Sequence, residues 1–437
     1  MNTKIYTFLL LLTIWALGVH AQQIDMLVPG LAGPIDVNVD AQGSLWLTEA
    51  GSGAQDGRVN KIQPDGSRMI VIDSLPSFFD PDSREIQGPW TTTMMTDGRI
   101  FVCQGEGPDS LSASIMEFHW DDFMAKGAPL HAADRRSIIK VGEWVTANGF
   151  EESNPYSFIL DETGDFIISD AAANAILKYR PDSARFEVLH VFAPFQNPTP
   201  IGPPFVDVVP TKILAYPGGG YLVASLTGFP FLDGAANIYH VQADGTSSVF
   251  ASGLTLITDM AYNAADSSLL ALQFGKFGPI DSTSFGFLFG SAQVVKISAN
   301  GQRDTLLAGF GPSPGMALAA DSSLYLTHLF LGQLLKTSLI STGLADGNEL
   351  HIQPLKVFPN PTQGRITASF ELQNSGPLSY RLMNMMGQTL RYAPLGYRPA
   401  GEQQLPLDLS TTGISRGTYL LSISNGKEHF VSKVVLF

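Results

Sequence analysis

The chain has 437 residues, 44% of them apolar and only 15% charged, which excludes a disordered chain or a coiled coil and allows a large buried core. Its formal net charge of −14 argues against a nucleic-acid partner, because a phosphate backbone would be repelled and no basic cluster overrides that locally. The 43 glycines and 28 prolines imply many turns, hence short strands rather than long helices.

In chain order, residues 1–21 read as a signal peptide. Lys4 supplies the positive end, "IYTFLLLLTIWALG" the apolar core and "VHA" a cleavage site, with a mature start near Gln22. The apolar run is shorter than the ~20 residues a membrane span needs, and no Cys follows Ala21 to carry a lipid. The mature chain is therefore expected to be exported through the periplasm and to have no transmembrane span. Cys103 is the only cysteine, so no intrachain disulfide exists, and its place in "RIFVCQG" suits a buried small residue better than a nucleophile.

From residue 22 to 342 one unit recurs six times. It opens with a Pro and an apolar alternation: "GPIDVNVD", "GPWTTTMM", "NPYSFILD", "VPTKILAY", "ITDMAYN" and "SPGMALAA", with Thr258 read in place of the Pro in the fifth. A tight turn leads to a second run ("SLWLTEAG", "RIFVCQGE", "DFIISDAA", "GYLVASLT", "SLLALQFG", "SLYLTHLF"), and a third and usually a fourth run follow. Four short strands with period-two alternation, repeated, describe a six-bladed β-propeller rather than a single sandwich, and blades such as "GPIDVNVDAQGSLWLTEA" resemble NHL-like repeats. The sixth unit lacks a fourth run. "QIDMLVPGLAGPID" resembles "RDTLLAGFGPSPG", the fourth strand that leads into the sixth unit, so the N-terminus is expected to supply the outer strand of the last blade.

Alternating turns make the two faces unequal. "DAQG", "TDG", "DETG", "PGGG" and two copies of "ADSS" are tight. The opposite rim carries long apolar stretches: "SFFDPDSREIQ", "APFQNPTPIGPP", "LTGFPFLDG" and "FGKFGPIDSTSFGFLFGS". Function concentrates on such loops, so Phe229, Phe231, Phe274 and Phe277 are candidate contacts, the alternative being a lid packed on itself. Aligned second strands place Glu49, Gln104, Asp170, Ser225, Gln273 and His328 at the same end, on that long-loop side. This ring is a candidate ligand site at the channel mouth. Glu49, Asp170 and His328 are the candidate metal ligands, and a divalent cation is the one cofactor considered; the competing role is capping of strand ends. "HWDDF" from His119 reads as a solvated helix start, and no G-x-S-x-G, H-E-x-x-H or P-loop pattern occurs.

After a linker at 343–354 the blade period stops, and residues 355–437 read as a small immunoglobulin-like β-sandwich. "VFPNPTQG", "MNMMGQTL", "LDLSTTGISRGTYLLSI" and the terminal "KVVLF" resemble the type A C-terminal sorting domain of type IX secretion, a Bacteroidota system. The resemblance implies the type IX machinery as partner and a secreted or cell-surface location. "GPIDVNVDAQGSLWLTEAGSG", "NPYSFILDETGDFIISDAAANAILKY" and "VPTKILAYPGGGYLVASLTGFPFLDGAANIYHV" resemble the ScyD/ScyE family of exported propellers, which implies the fold but brings no catalytic residues. The expected function is a non-catalytic module that binds an unidentified ligand or protein on the long-loop face. The alternative is a metal-dependent hydrolase or lactonase of the gluconolactonase-like propeller type.

Overall fold

The computed structural model describes residues 24–63, 65–81, 85–280, 285–339, 352–384, 389–409, 414–425 and 428–437; the expected signal peptide and most of the expected linker lie outside them. Residues 24–338 form six four-stranded antiparallel sheets, which are the blades of a β-propeller. The innermost strands are Pro34–Val39, Pro89–Met94, Pro155–Leu160, Pro210–Ala215, Ile257–Asn263 and Met316–Leu318. Each touches the next and the last returns to the first, so the ring closes.

Six apolar clusters hold the ring, each lying between two consecutive sheets. Trp46, Val59 and Ile72 of the first sheet meet Val102, Met116 and Phe118 of the second, and Val37 and Leu47 of the first meet Tyr325 and Leu334 of the sixth. A four-stranded sheet is apolar on both faces here, so it is stable only between neighbours, which is why the unit repeats. The N-terminal strand Ile24–Val28 pairs antiparallel with Gln333–Ser338, the third strand of the sixth sheet, as expected from the sequence. The closure removes an open edge.

Five of the six tight turns are Asx turns; the PGGG turn has no such cap. Asp40, Asp97, Asp161, Asp266 and Asp321 each accept the backbone N–H two residues on, at 2.9–3.1 Å. Among the described residues the α-helices, Trp120–Lys126 and Val141–Ala147, both belong to the second sheet, inserted around its outer strand Ser137–Ile139. The His119 side chain caps the first helix by accepting from the Asp121 N–H at 3.2 Å, as "HWDDF" predicts.

Residues 352–436 form a five-stranded and a three-stranded sheet around one core that includes Phe370, Leu382, Leu421 and Phe430. The first strand, Ile352–Pro354, falls within the predicted linker and pairs in parallel with His429–Val431.

Candidate functional site

Sequence reasoning aligned the six polar residues Glu49, Gln104, Asp170, Ser225, Gln273 and His328, and each is the last residue of its blade's second strand and buried. Their polar groups serve nearby backbone and side chains. Glu49 accepts from the Ala32 N–H, from Asn60 Nδ2 at 2.8 Å and from Arg68. Asp170 accepts from Ser153 Oγ at 2.6 Å and from the N–H groups of Asn154 and Ala173 at 2.8 and 3.0 Å. Burial still pushes its carboxyl up, against those bonds. Gln104 donates to the Pro76 carbonyl, Ser225 pairs with the Asn237 backbone, Gln273 accepts from the Thr255 N–H, and His328 Nδ1 accepts from the Leu331 N–H. Ser225 thus bonds to the blade's third strand, whereas the other five each tie an entry or following loop to the strand end. Among the described residues, no group of three or more His, Cys, Asp or Glu could hold a metal ion.

The axis itself is lined one layer deeper, by residues the sequence did not single out. Each of the first five inner strands shows a register shift after its first residue, as between Pro34 and Asp36, Pro89 and Thr91, and Pro155 and Ser157. Such a bulge re-aims side chains, and two successive residues then face the axis: Ile35 with Asp36, Trp90 with Thr91, Tyr156 with Ser157, and Thr258 with Asp259. In the fifth blade Ile257, not Thr258, is the residue equivalent to the repeated Pro. Ile257 opposes Gln273 as Pro34 opposes Glu49. The alignment was one residue off because the fifth copy has no Pro to anchor it: all five strands share the bulge.

Lys212 from the fourth blade reaches across this space. Its Nζ lies 3.1 Å from Asp259 of the fifth blade and 3.5 Å from Asp36 of the first. Asp36 also accepts from Thr91 Oγ1 and, at 2.6 Å, from Asn38 Nδ2; Asp259 accepts from the Met316 N–H of the sixth blade at 2.7 Å. The two carboxylates hold the Lys212 ammonium well above the usual lysine range despite burial. Burial raises the Asp259 carboxyl to about 7; Lys212 opposes the rise and Asp36 adds to it. Further blade-to-blade bonds run from Ser157 Oγ to the Thr211 carbonyl at 2.9 Å, from Thr211 Oγ1 to the Ile257 carbonyl at 2.7 Å and from Cys103 Sγ to the Pro155 carbonyl at 3.1 Å. Burial lifts the Cys103 thiol well above its usual range, as befits a packed residue rather than a nucleophile. Sixth-blade closure depends on Gly315: a Cβ there would lie 2.4 Å from the Ile35 carbonyl oxygen. The cavity left at the axis, about 10 Å3, has room for about one water molecule. That is far below the ~300 Å3 at which small-molecule pockets begin.

The long-loop rim is different in kind. Phe231 and Phe277 lie 5.2 Å apart, Phe274 and Phe287 5.0 Å, and Phe229 joins both Phe231 and Phe277 at about 6 Å. The hairpin Phe277–Pro279 with Phe285–Phe287 builds half of this cluster. Gly202, from the preceding blade's loop, abuts it with a virtual Cβ only 2.9 Å from Phe229. Phe274 is buried, whereas Phe229 is 43% exposed and Phe285 59%, with Ile201 and Phe205 also exposed. The cluster packs on itself and still presents an aromatic surface to solvent.

Residues 356–436 match the family described as secretion system C-terminal sorting domain. Comparison with curated proteins finds no match. Among solved structures, a protein of unknown function from Bacteroides thetaiotaomicron shares 11% identity and a TM-score of 0.48, over 73% of this chain and 76% of its own. A gluconolactonase from Xanthomonas campestris shares 14% identity and a TM-score of 0.46, over 73% and 90%. A streptogramin B lyase shares 11% and 0.46, over 72% and 97%. Among the described residues no helix is long and apolar enough to cross a membrane. The propeller thus ends in a type IX secretion C-terminal sorting domain, which implies handling by that machinery and export to the cell surface or secretion.

Proposed function

We propose that the protein is a secreted or surface-held, non-catalytic binding module of the ScyD/ScyE-like propeller type. It enters the periplasm by the signal peptide at 1–21, and the domain at 355–437 then exports it in a Bacteroidota host. One observation carries this reading: the axis is closed by Lys212 between Asp36 and Asp259, while the long-loop rim exposes the aromatic surface around Phe229 and Phe285. An exposed aromatic cluster on a rigid ring offers a large contact area at little ordering cost, which suits a ligand or protein partner. The second-strand ring of Glu49, Gln104, Asp170, Ser225, Gln273 and His328 supports those loops from below.

Purified chain is expected to bind its host's outer-membrane or exopolysaccharide fractions, and Phe229→Ser with Phe285→Ser to lose that binding without a change in unfolding temperature. Equal retention of the double variant would refute the assignment of the surface. Chelator-sensitive hydrolysis of simple lactones by the wild-type chain would refute the non-catalytic reading and establish the metal-dependent hydrolase in its place.

A further inference from the structure

We propose that the sorting domain docks on the propeller through the outer face of its five-stranded sheet, with Leu331 as the knob. The argument starts from strand alternation in the tail. In Gly376–Asn384 the core residues are Leu378, Tyr380 and Leu382, so Arg381 and Met383 point to the other face. In Gly417–Ser424 the core takes Tyr419, Leu421 and Ile423, and Leu420 and Ser422 point outward. Register places Met383 directly opposite Leu420, and Arg381 opposite Ser422, which opposes Val431. These residues therefore form two adjacent rows on one outward face. An outward face of a small sandwich is ordinarily wet, yet Met383 has no exposed surface, Leu420 is 6% exposed and Ser422 5%.

What covers the patch is the propeller. Leu331 packs with Met383 and Leu420 in one buried cluster, and the Leu331 carbonyl accepts from Arg381 Nη1 at 3.3 Å. Leu331 lies in the loop between the second and third strands of the sixth blade, on the long-loop rim. The loop is held from both sides. The Leu331 N–H donates to His328 Nδ1, and the Gly332 carbonyl accepts from the Leu31 N–H at 2.9 Å, just after the N-terminal closing strand. His328, the sixth member of the polar ring, thus positions the knob, and docking depends on the same closure that completes the ring. The partner is a segment of this chain, and the inference does not depend on whether the rim also binds a ligand.

Methionine oxidation in the intact chain tests this. Met383 is a reporter of docking; Met124, 61% exposed, is the open control, and Met116 and Met260, both buried in blades, report that the propeller is folded. Under dilute peroxide with peptide-level mass spectrometry, Met383 is expected to oxidise at least about tenfold more slowly than Met124, and Leu331→Asp to remove that difference while Met116 and Met260 stay slow. Oxidation of Met383 at the Met124 rate in the wild-type chain would overturn the proposal. So would continued protection of Met383 in the variant, since the tail alone would then bury it. Should Leu331→Asp expose Met116 or Met260, Leu420→Lys, which leaves the propeller sequence intact, is read by the same criteria.

Discussion

The axis and the long-loop rim are both assembled from several blades, yet they end in opposite states. At the axis, inward-facing polar groups find one another: Lys212 meets Asp36 and Asp259, and hydroxyls bond to neighbouring backbone. At the rim, the inserted loops bring aromatic rings that cover one another only in part. Buried polar groups cost free energy unless paired, so a narrow axis drives saturation. No such pressure completes an apolar cluster at a solvent edge. The described residues thus leave their exposed aromatic cluster at the edge rather than at the axis.

The comparison can be broken most strongly at the seam on which both regions depend. Deleting residues 22–28 removes the strand that pairs with Gln333–Ser338, and the sixth blade is then left with an open edge. Cooperative thermal unfolding is expected to disappear or shift down by well over ten degrees; an unchanged transition would show that the ring closes without it.

Next in size is the axis. Lys212→Met leaves two buried carboxylates facing each other and is expected to lower stability by about 3–5 kcal/mol in denaturant titrations. Adding Asp36→Asn and Asp259→Asn should restore much of that loss, because the unpaired charge rather than the missing contact is the cost. If the triple variant is no better than the single one, the brace acts by packing alone.

A smaller effect concerns pH. Folding raises the Asp259 carboxyl from 3.8 to about 7, so its contribution to stability is fully present below its unfolded value and is lost as pH rises through about 7. Stability should therefore fall between about pH 4 and 7, and Asp259→Asn should flatten the slope. A wild-type profile that rises over this range would contradict the burial argument.

The smallest expected change in stability is at the rim. Phe285→Ser removes a ring that is mostly in water, and the folding free energy should move by less than about 1 kcal/mol while any partner contact is weakened. A loss of several kcal/mol would make the cluster a structural lid instead.

Much of the fold was legible because repetition was. Six copies of an alternating run, five of them Pro-led, each followed by a tight turn and further runs, define the blades, and the likeness of "IDMLVPGL" to "DTLLAGFG" located the closing strand. The polar ring was legible for the same reason, since Glu49, Asp170 and His328 end equivalent strands. Its roles were not, because the partners Ala32, Asn154 and Leu331 lie in loops whose paths no periodicity encodes. The axial residues left a trace: the second position after the repeated Pro reads Asp36, Thr91, Ser157 and Lys212, polar in otherwise apolar strands. Asp259 hid from that comparison because the fifth copy has no Pro to anchor it.

By itself, then, the sequence determined the repeat, the closing strand, the apolar rim loops and the sorting tail, because each is written in local order: alternation, turn chemistry or a contiguous motif. Only the tertiary structure decided that Lys212 lies between Asp36 and Asp259, that the axis has room for about one water, and that Met383 is buried beneath Leu331. Those facts join residues from different blades or domains. Their distances follow from ring closure, bulges and sheet register acting together, and no local pattern in the chain carries that sum.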